Sequence, residues 1–145
     1  MLGKSCLEHG GMNASAKTTP AQRFVVSHYD EKDFTGTSPR PYLLKRDLGV
    51  REATGGLATV HVVRAVRPCE PEMLPAMHKH MADFQYFYVL KGWQRMLIEG
   101  HGEVTVRAHD GWLQPPAIEH QVLDYSEDLE VLCFSMPAEF DTEDA

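Results

Sequence analysis

The chain has 145 residues and a formal net charge of -7, with 14 lysines and arginines against 21 acidic residues, which argues against a nucleic-acid partner. Its length fits one domain with a sizeable core, and no apolar run is long enough to span a bilayer. The first residues lack the apolar stretch of a signal peptide, and Cys6, Cys69 and Cys133 show no CxxC spacing. We therefore expect a cytoplasmic protein with a small-molecule ligand and no membrane partner.

The two ends of the sequence differ in composition from the part between them. Residues 1–22 are rich in Gly, Ser, Thr, Asn and Lys without periodicity, and we interpret them as a flexible arm. Residues 138–145 are predicted to form an acidic tail. Between them, residues 23–137 are predicted to form a single β-domain.

Short β-branched and aromatic runs, separated by turn residues, recur along this domain. The predicted strands are residues 23–29, 42–50, 58–66, 76–80, 85–90, 93–99, 104–108, 120–125 and 129–136. The turns between them, such as Lys91-Gly92 and Asp110-Gly111, predict antiparallel hairpins, and no window has a convincing helical period. The pattern predicts an all-β sandwich or barrel with very little helix.

Three histidines indicate a metal site. His78 and His80 stand one residue apart, and residues i and i+2 of a β-strand point to the same face, so their imidazoles lie side by side. His120 follows downstream, and an apolar barrel offers no other reason to bring three imidazoles together. Neutral imidazole is the commonest protein ligand for transition metals, and three protein ligands with an open position are typical of a catalytic site.

Two segments resemble the motifs of the cupin superfamily. The first family motif is His-x-His, three or four residues, Glu, six residues and Gly, and residues 78–92 match its spacing with Gln85 at the Glu position. The second motif is Pro-x-Gly, two residues, His, three residues and Asn, and residues 115–124 resemble it with His120 at the third ligand position. The resemblance covers roughly residues 58–136.

The sequence departs from the family pattern at four places. Ala117 replaces Gly, Asp124 replaces Asn, and the glycine that usually precedes the second motif is displaced to Gly111. Only the fourth change, Gln85 for Glu, touches the chemistry directly. An amide oxygen donates a lone pair but removes no charge from a divalent ion, so we expect a more electrophilic site than the Glu counterpart.

The resemblance implies the cupin fold, a double-stranded β-helix or jelly-roll barrel, with one divalent transition metal ion. The ion would be held by His78, His80, His120 and Gln85. It could be Zn, Ni, Fe(II) or Mn, because the spacing of the ligands does not distinguish among these metals. Whether Gln85 coordinates the ion directly or bonds a metal-bound water stays open.

A metal ion in such a site acts as a Lewis acid, which suits isomerase or lyase chemistry on a small substrate with carbonyl, carboxylate or sugar-acid oxygens. We therefore expect a metal-dependent enzyme, and some cupins that open unsaturated uronates resemble this arrangement. Two alternatives stay open. Three-histidine cupin sites also serve non-haem iron dioxygenases, and some small cupins are non-catalytic modules that bind a metal ion or a small ligand.

Alternation along the strands predicts which side chains line the pocket. Phe87 shares a face with Gln85, and Gln94 and Met96 belong to the more apolar face of the next strand, which we expect to point inward. Trp112 and Gln114 flank the approach to His120. Phe87, Gln94, Met96 and Trp112 are therefore our candidate substrate contacts.

His61 and Arg64 lie on opposite faces of the strand predicted for residues 58–66, so at most one of them faces the pocket. Both faces of that strand are apolar enough that the sequence does not choose between them. Residues 23–29 are predicted to pair with the sheet of a second copy in a homodimer, and cupins of this size, which the chain resembles, are usually dimeric.

Overall fold

Two antiparallel sheets pack face to face in the computed structural model, which describes residues 19–37 and 40–145. The strands of this part are β1 (Thr35–Thr37), β2 (Arg40–Asp47), β3 (Thr59–Ala65), β4 (His78–His80), β5 (Phe84–Lys91), β6 (Trp93–Ile98), β7 (Gly102–Arg107), β8 (Gly111–Leu113), β9 (His120–Tyr125), β10 (Glu130–Met136) and β11 (Thr142–Asp144). Its helical segments are α1 (Val50–Ala53) and two 3-10 turns, Glu31–Asp33 and Pro71–Met73.

The strand order brings distant parts of the chain together. Sheet A has the order β1-β2-β3-β10-β5-β8, and sheet B has the order β11-β4-β9-β6-β7. Two antiparallel sheets with neighbours this far apart in sequence form a jelly roll, so the predicted all-β jelly-roll barrel with very little helix is confirmed. Over the described residues, no helix is long and apolar enough to cross a membrane.

Side chains that alternate across the strands build the core between the sheets. Along β10, Val131, Cys133 and Ser135 are buried, whereas the residues between them are only partly buried. The apolar members of this row join a cluster that includes Val89 of sheet A and Met96 of sheet B. Ser135 is the polar member of this inward row, so at its position along the strand a polar side chain faces the interior.

Residues 23–29 are not a strand, so the prediction is wrong for this segment. The edge of sheet A beside β2 is occupied by β1, and the segment has no strand partner among the described residues. The guanidinium of Arg46 instead donates to the backbone carbonyl oxygens of Ser27 and His28, at 3.2 and 3.0 Å. Of the predicted arm, residues 1–18 lie outside the described part.

The predicted acidic tail, residues 138–145, contains a strand, so this prediction also needs correction. Strand β11 pairs with β4 in the register Thr142 with His80 and Asp144 with His78. Backbone hydrogen bonds do not require apolar side chains at a sheet edge, where charged residues are common. An ion pair between Lys79 and Glu143, 3.6 Å apart, supports the pairing. The C-terminal residues therefore complete the sheet that carries the histidines.

The strand predicted for residues 42–50 runs from Arg40 to Asp47, and helix α1 follows it. The chain turns at Gly49, whose φ of 81° is in the left-handed region and whose N–H donates to the Asp47 carboxylate at 2.6 Å. Strands β1 and β8 have 3 residues each, which is too few to show an alternation, and the sequence does not predict them.

Two turn positions explain features of the motifs. Gly92 joins β5 to β6 with a φ of 74°, and a Cβ atom there would collide with the Ser126 hydroxyl, so only glycine fits. Ala117 has a φ of 62° at the position where the second family motif has Gly. An alanine in the left-handed region is strained by roughly 1 kcal/mol. The turn is held by the Ala117 N–H, which donates to the His80 carbonyl oxygen at 2.9 Å.

Val89→Ala should lower the free energy of unfolding by about 2 kcal/mol, because it removes buried carbon atoms and leaves a cavity around a side chain that is 0% exposed. Val66→Ala is a matched control at a side chain that is 47% exposed, and it should change the same quantity by less than about 0.5 kcal/mol. Urea denaturation followed by tryptophan fluorescence measures both variants. Equal losses would contradict the placement of the core.

Candidate metal centre

Three imidazoles meet on the inner face of sheet B. His78 and His80 are the first and last residues of β4, and His120, the first residue of β9, is the direct cross-strand partner of His78. Their ring centroids are 4.5, 4.8 and 5.0 Å apart. The possible ligating atoms all lie within 4.8 Å of one another. The structure thus brings together the three histidines that the sequence analysis selects.

Backbone carbonyl groups orient two of these rings. Nδ1 of His78 lies 2.8 Å from the carbonyl oxygen of Ala76, and Nδ1 of His120 lies 2.9 Å from that of Ile118. A carbonyl oxygen only accepts hydrogen bonds, so each Nδ1 carries the hydrogen and each Nε2 keeps its lone pair. Two of the candidate ligands are therefore held in the tautomer that a metal ion needs.

Burial keeps the imidazoles of His80 and His120 uncharged. It lowers the pKa of His80 to about 4, although the hydrogen bond with Gln85 acts in the opposite direction. Burial likewise lowers the pKa of His120, against the effect of its bond to Ile118. A neutral imidazole has the free lone pair that binds metal, so these rings do not have to lose a proton near neutral pH.

Gln85 reaches the histidines from sheet A. Its side chain is 3% exposed, and its Oε1 lies 3.0 Å from Nδ1 of His80. Its Nε2 donates to the hydroxyl of Ser135 on the adjacent strand β10, at 3.3 Å. Both ends of the amide are hydrogen-bonded, and the oxygen faces the histidines. Direct coordination of an ion by Gln85 stays a prediction.

A second buried amide, Gln114, lies among these groups. Its Nε2 donates to Oε1 of Gln85 at 3.1 Å and lies 3.3 Å from both His80 Nδ1 and His120 Nε2. From the sequence, Gln114 is expected only beside the approach to His120, because no motif position or face alternation gives it a role. The structure makes it part of the hydrogen-bonded shell that orients Gln85.

The donor set fits a divalent transition metal ion. Three imidazoles that converge in a largely apolar interior, with the Nδ1 atoms of His78 and His120 held by backbone carbonyl groups, are the ligands that such ions prefer. His78, His80 and His120 would hold the ion, with the Gln85 amide oxygen beside them. Within the described residues, this is the group of His, Cys, Asp and Glu side chains that is arranged for a metal.

The histidines open into a cavity of about 380 Å³ between the sheets. All four of the predicted contact residues line it, namely Phe87, Gln94, Met96 and Trp112. Phe87 and Trp112 stack with ring centroids 4.7 Å apart and form one flat apolar wall. The geometry places these residues beside a potential ligand, and their contact with a substrate stays a prediction.

The structure decides between His61 and Arg64. His61 lines the cavity, and its Nδ1 is buried without a hydrogen-bond partner in the described part of the chain. Arg64 points away from the cavity, pairs with Glu130 at 2.6 Å and covers the ring of Phe34 at 3.8 Å. The cavity therefore contains a fourth imidazole, outside the metal group.

Phe140 covers the metal group from the C-terminal side. Its ring centroid lies 5.5 Å from that of His80, and it lines the cavity. The chain is fixed there because β11 follows directly and the N–H of Met81 donates to the Asp141 carbonyl oxygen at 2.8 Å. Phe140 lies beyond the residues that resemble the family, and no sequence motif selects it.

Solved structures share this architecture. KdgF from Halomonas sp. has a TM-score of 0.60 and 17% sequence identity, over 78% of this chain and 96% of that chain. The polyketide cyclase RemF from Streptomyces resistomycificus has a TM-score of 0.63 and 13% identity, over 83% of this chain and 85% of that chain. The iron(II) form of HppE has a TM-score of 0.60 and 14% identity, over 78% of this chain and 60% of that chain.

These similarities confirm the cupin fold predicted from the two motifs. No model of a known protein family matches the sequence, and no curated protein matches it. At these identities, the neighbours establish the fold, while the chemistry has to be argued from the site itself.

Protonation of His61 should oppose folding in acid. Burial, with a contribution from the charge of Lys45 and against that of Asp47, lowers the pKa of His61 from 6.5 to about 4. The unfolded chain then binds the proton more readily, so the free energy of unfolding should fall as the pH drops from about 6.5 to about 4. Above pH 6.5 this group contributes no change, because it is neutral in both states.

His61→Asn should remove up to about 3 kcal/mol of the acid-induced decrease in the free energy of unfolding. Urea denaturation of metal-free protein at a series of pH values measures the difference between the variant and the wild type. Identical pH dependence in the two proteins would show that His61 titrates normally.

Proposed function

We propose that this protein is a metal-dependent enzyme of the cupin type that acts on a small oxygenated substrate. One observation carries the proposal: three imidazoles, with ligating atoms within 4.8 Å of one another, line a cavity of about 380 Å³. A divalent ion bound there would supply Lewis-acid chemistry, because three histidine ligands leave coordination positions for a substrate oxygen. Gln85 contributes no negative charge, which favours an electrophilic site.

The other cavity residues favour isomerase or lyase chemistry, in which a proton is moved. His61 is a neutral imidazole that lines the same cavity, so it can take up a proton at one nitrogen and return it. Its pKa of about 4 makes it a weak base that releases the proton readily. Phe87 and Phe140 line the same space with apolar surface.

Oxygen chemistry at an iron ion is the second candidate. The observation that favours it is the similarity to the iron(II) form of HppE, which shows that this fold also accommodates iron. Oxygen consumption by an iron-loaded sample with candidate substrates separates the two functions. Consumption that requires substrate and iron would favour the oxygenase, and turnover without oxygen would favour the Lewis-acid enzyme.

His120→Ala should reduce bound metal from about one ion per chain to near zero, because it removes one of three imidazole ligands. Elemental mass spectrometry of protein purified without a metal-affinity step measures the metal content. His101→Ala, at an exposed histidine in the turn between β6 and β7, is the matched control and should keep the wild-type content. A wild-type protein without stoichiometric metal, or a metal-loaded His120→Ala variant, would contradict the proposal.

We also propose that the protein is a homodimer in which residues 23–29 contact a second copy. Apolar side chains of this segment are exposed, with Phe24 at 94%, Val25 at 43%, Val26 at 54% and Tyr29 at 64%. A contiguous group of exposed apolar side chains is typical of an interaction surface.

Phe24→Asp should convert the dimer to a monomer in sedimentation experiments at micromolar concentration, since a charge there cannot be buried without a partner. Val66→Asp, at an exposed valine outside the segment, should leave the dimer intact. A wild-type monomer at the same concentration would rule out the homodimer.

A further inference from the structure

In the described part of the chain, Arg40 and Lys45 differ from the other cationic side chains because they are half-buried and have no acidic partner. Those paired with an acidic side chain are Arg23, Arg46, Arg51, Arg64, Lys79 and Arg95. Those without such a pair among the described residues, and exposed to solvent, are Lys32, Arg67, Lys91 and Arg107. Arg40 and Lys45 are also without an acidic pair there, but they are half-buried and both line the cavity.

A charge that is partly withdrawn from water and has no counter-ion is unfavourable. Proteins keep such groups where a ligand supplies the opposite charge. Other cationic side chains of this protein have acidic partners at the surface, such as Arg23 with Glu52 and Arg95 with Glu103. The position of Arg40 and Lys45 in the cavity therefore indicates an anionic ligand.

The register of sheet A defines successive levels of the cavity. Gln85 and Ser135 are cross-strand partners in the inward row that reaches the histidines. Cys133 lies in the next inward row, between His61 on β3 and Phe87 on β5. Successive inward rows are about 7 Å apart along the strands. The row of Cys133 is thus the first level of the cavity beyond the metal group.

Lys45 lies one inward row further from the histidines, because it pairs with Val63, which pairs with Val131, and its long side chain can reach the level of Cys133. Burial is the main cause of the shifted pKa values of His61 and Cys133, and the charge of Lys45 acts on both groups. The charge of Arg40 acts on Cys133. Both side chains line the cavity, and because Coulomb interactions fall with distance, both charges lie within range of the level of Cys133.

Neutral polar groups of the cavity also lack partners. The indole Nε1 of Trp112, the hydroxyl of Tyr125 and Nδ1 of His61 are buried without a hydrogen bond to any described residue, and all three residues line the cavity. Buried polar atoms are nearly always hydrogen-bonded, so these groups fit a ligand with several oxygen atoms.

We propose that Arg40 and Lys45 form a carboxylate-binding subsite, so that the substrate is a small carboxylic acid with a second oxygen function. The proposal rests on the proposed function and names its substrate class. The carboxylate would lie near Cys133, and the second oxygen would lie about 7 Å away at the histidines. The other charged residues that line the cavity are Asp47 and Arg51, and Arg51 is paired with Glu139. Arg40, Lys45 and Asp47 therefore carry one net positive charge together, which matches a monoanion better than a phosphate dianion.

The test compares two probes of nearly equal shape, 4-hydroxybutanoate and 4-hydroxybutanamide, with inorganic phosphate as a third. Titrations of metal-free and Zn²⁺-loaded protein are followed by protein NMR. The wild type should bind the acid about 10-fold more tightly than the amide, because a charged acceptor strengthens hydrogen bonds to cations. Arg40→Gln and Lys45→Gln should each abolish this preference, and Lys91→Gln, at an exposed lysine on β5, should retain it.

Several outcomes would overturn the subsite. These are equal binding of the acid and the amide by the wild type, a preference that survives both substitutions, or no binding of either probe at tens of millimolar. Phosphate that binds more tightly than the acid, and is lost in the same variants, would reassign the anion. Thermal melting controls for folding, and Arg40→Gln and Lys45→Gln should melt no lower than the wild type because no ion pair is broken.

Metal content separates this proposal from the proposed function. Arg40→Gln and Lys45→Gln should keep the wild-type metal content, since neither residue is a ligand. Wild-type protein that binds no metal but prefers the acid through Arg40 and Lys45 would contradict the proposed function and support the subsite. Wild-type protein that binds metal but does not prefer the acid over the amide would support the proposed function and contradict the subsite.

Discussion

The hydrogen bonds from two histidine rings to backbone carbonyl groups determine what the interior of this barrel can do. In both cases the acceptor is two residues earlier in the chain, Ala76 for His78 and Ile118 for His120. The cross-strand pairing of these two histidines then brings the same local arrangement together twice, on adjacent strands. With both Nδ1 atoms occupied, the Nε2 lone pairs of these rings are left available to an ion. The positions of the cavity, of its charged residues and of its aromatic wall are all defined relative to these two fixed rings.

The metal group could be predicted from sequence because it depends on local rules. His78 and His80 share a face by strand alternation, and the spacing to His120 resembles a known motif. Arg40 and Lys45 could not be selected in this way. Their significance lies in the absence of an acidic partner among the described residues, which depends on how several strands meet in space. Gln114 is similar, because its role follows from its contacts with three neighbouring side chains and no sequence motif indicates it.

The fold class followed from the number of short strands, but two segments show the limit of pattern reading. Residues 23–29 have the composition of a strand, yet β1 occupies the edge beside β2, so composition alone could not place them. Residues 142–144 have the composition of a solvated tail, yet β4 offers them an edge. Strand formation at the margin of a sheet is decided by the availability of a partner more than by propensity. Both errors concern the same kind of non-local choice.

The pairing of β4 with β11 has a consequence for how an ion would bind to the three histidines. Strand β4 has 3 residues, and one of its two neighbours, β11, is synthesised about sixty residues after it. Contacts between such distant segments form late in folding, so the strand that carries His78 and His80 gains its full support only when the rest of the barrel exists. An ion bound by these histidines would then enter a barrel that is already formed, and it would add stability by mass action rather than nucleate folding.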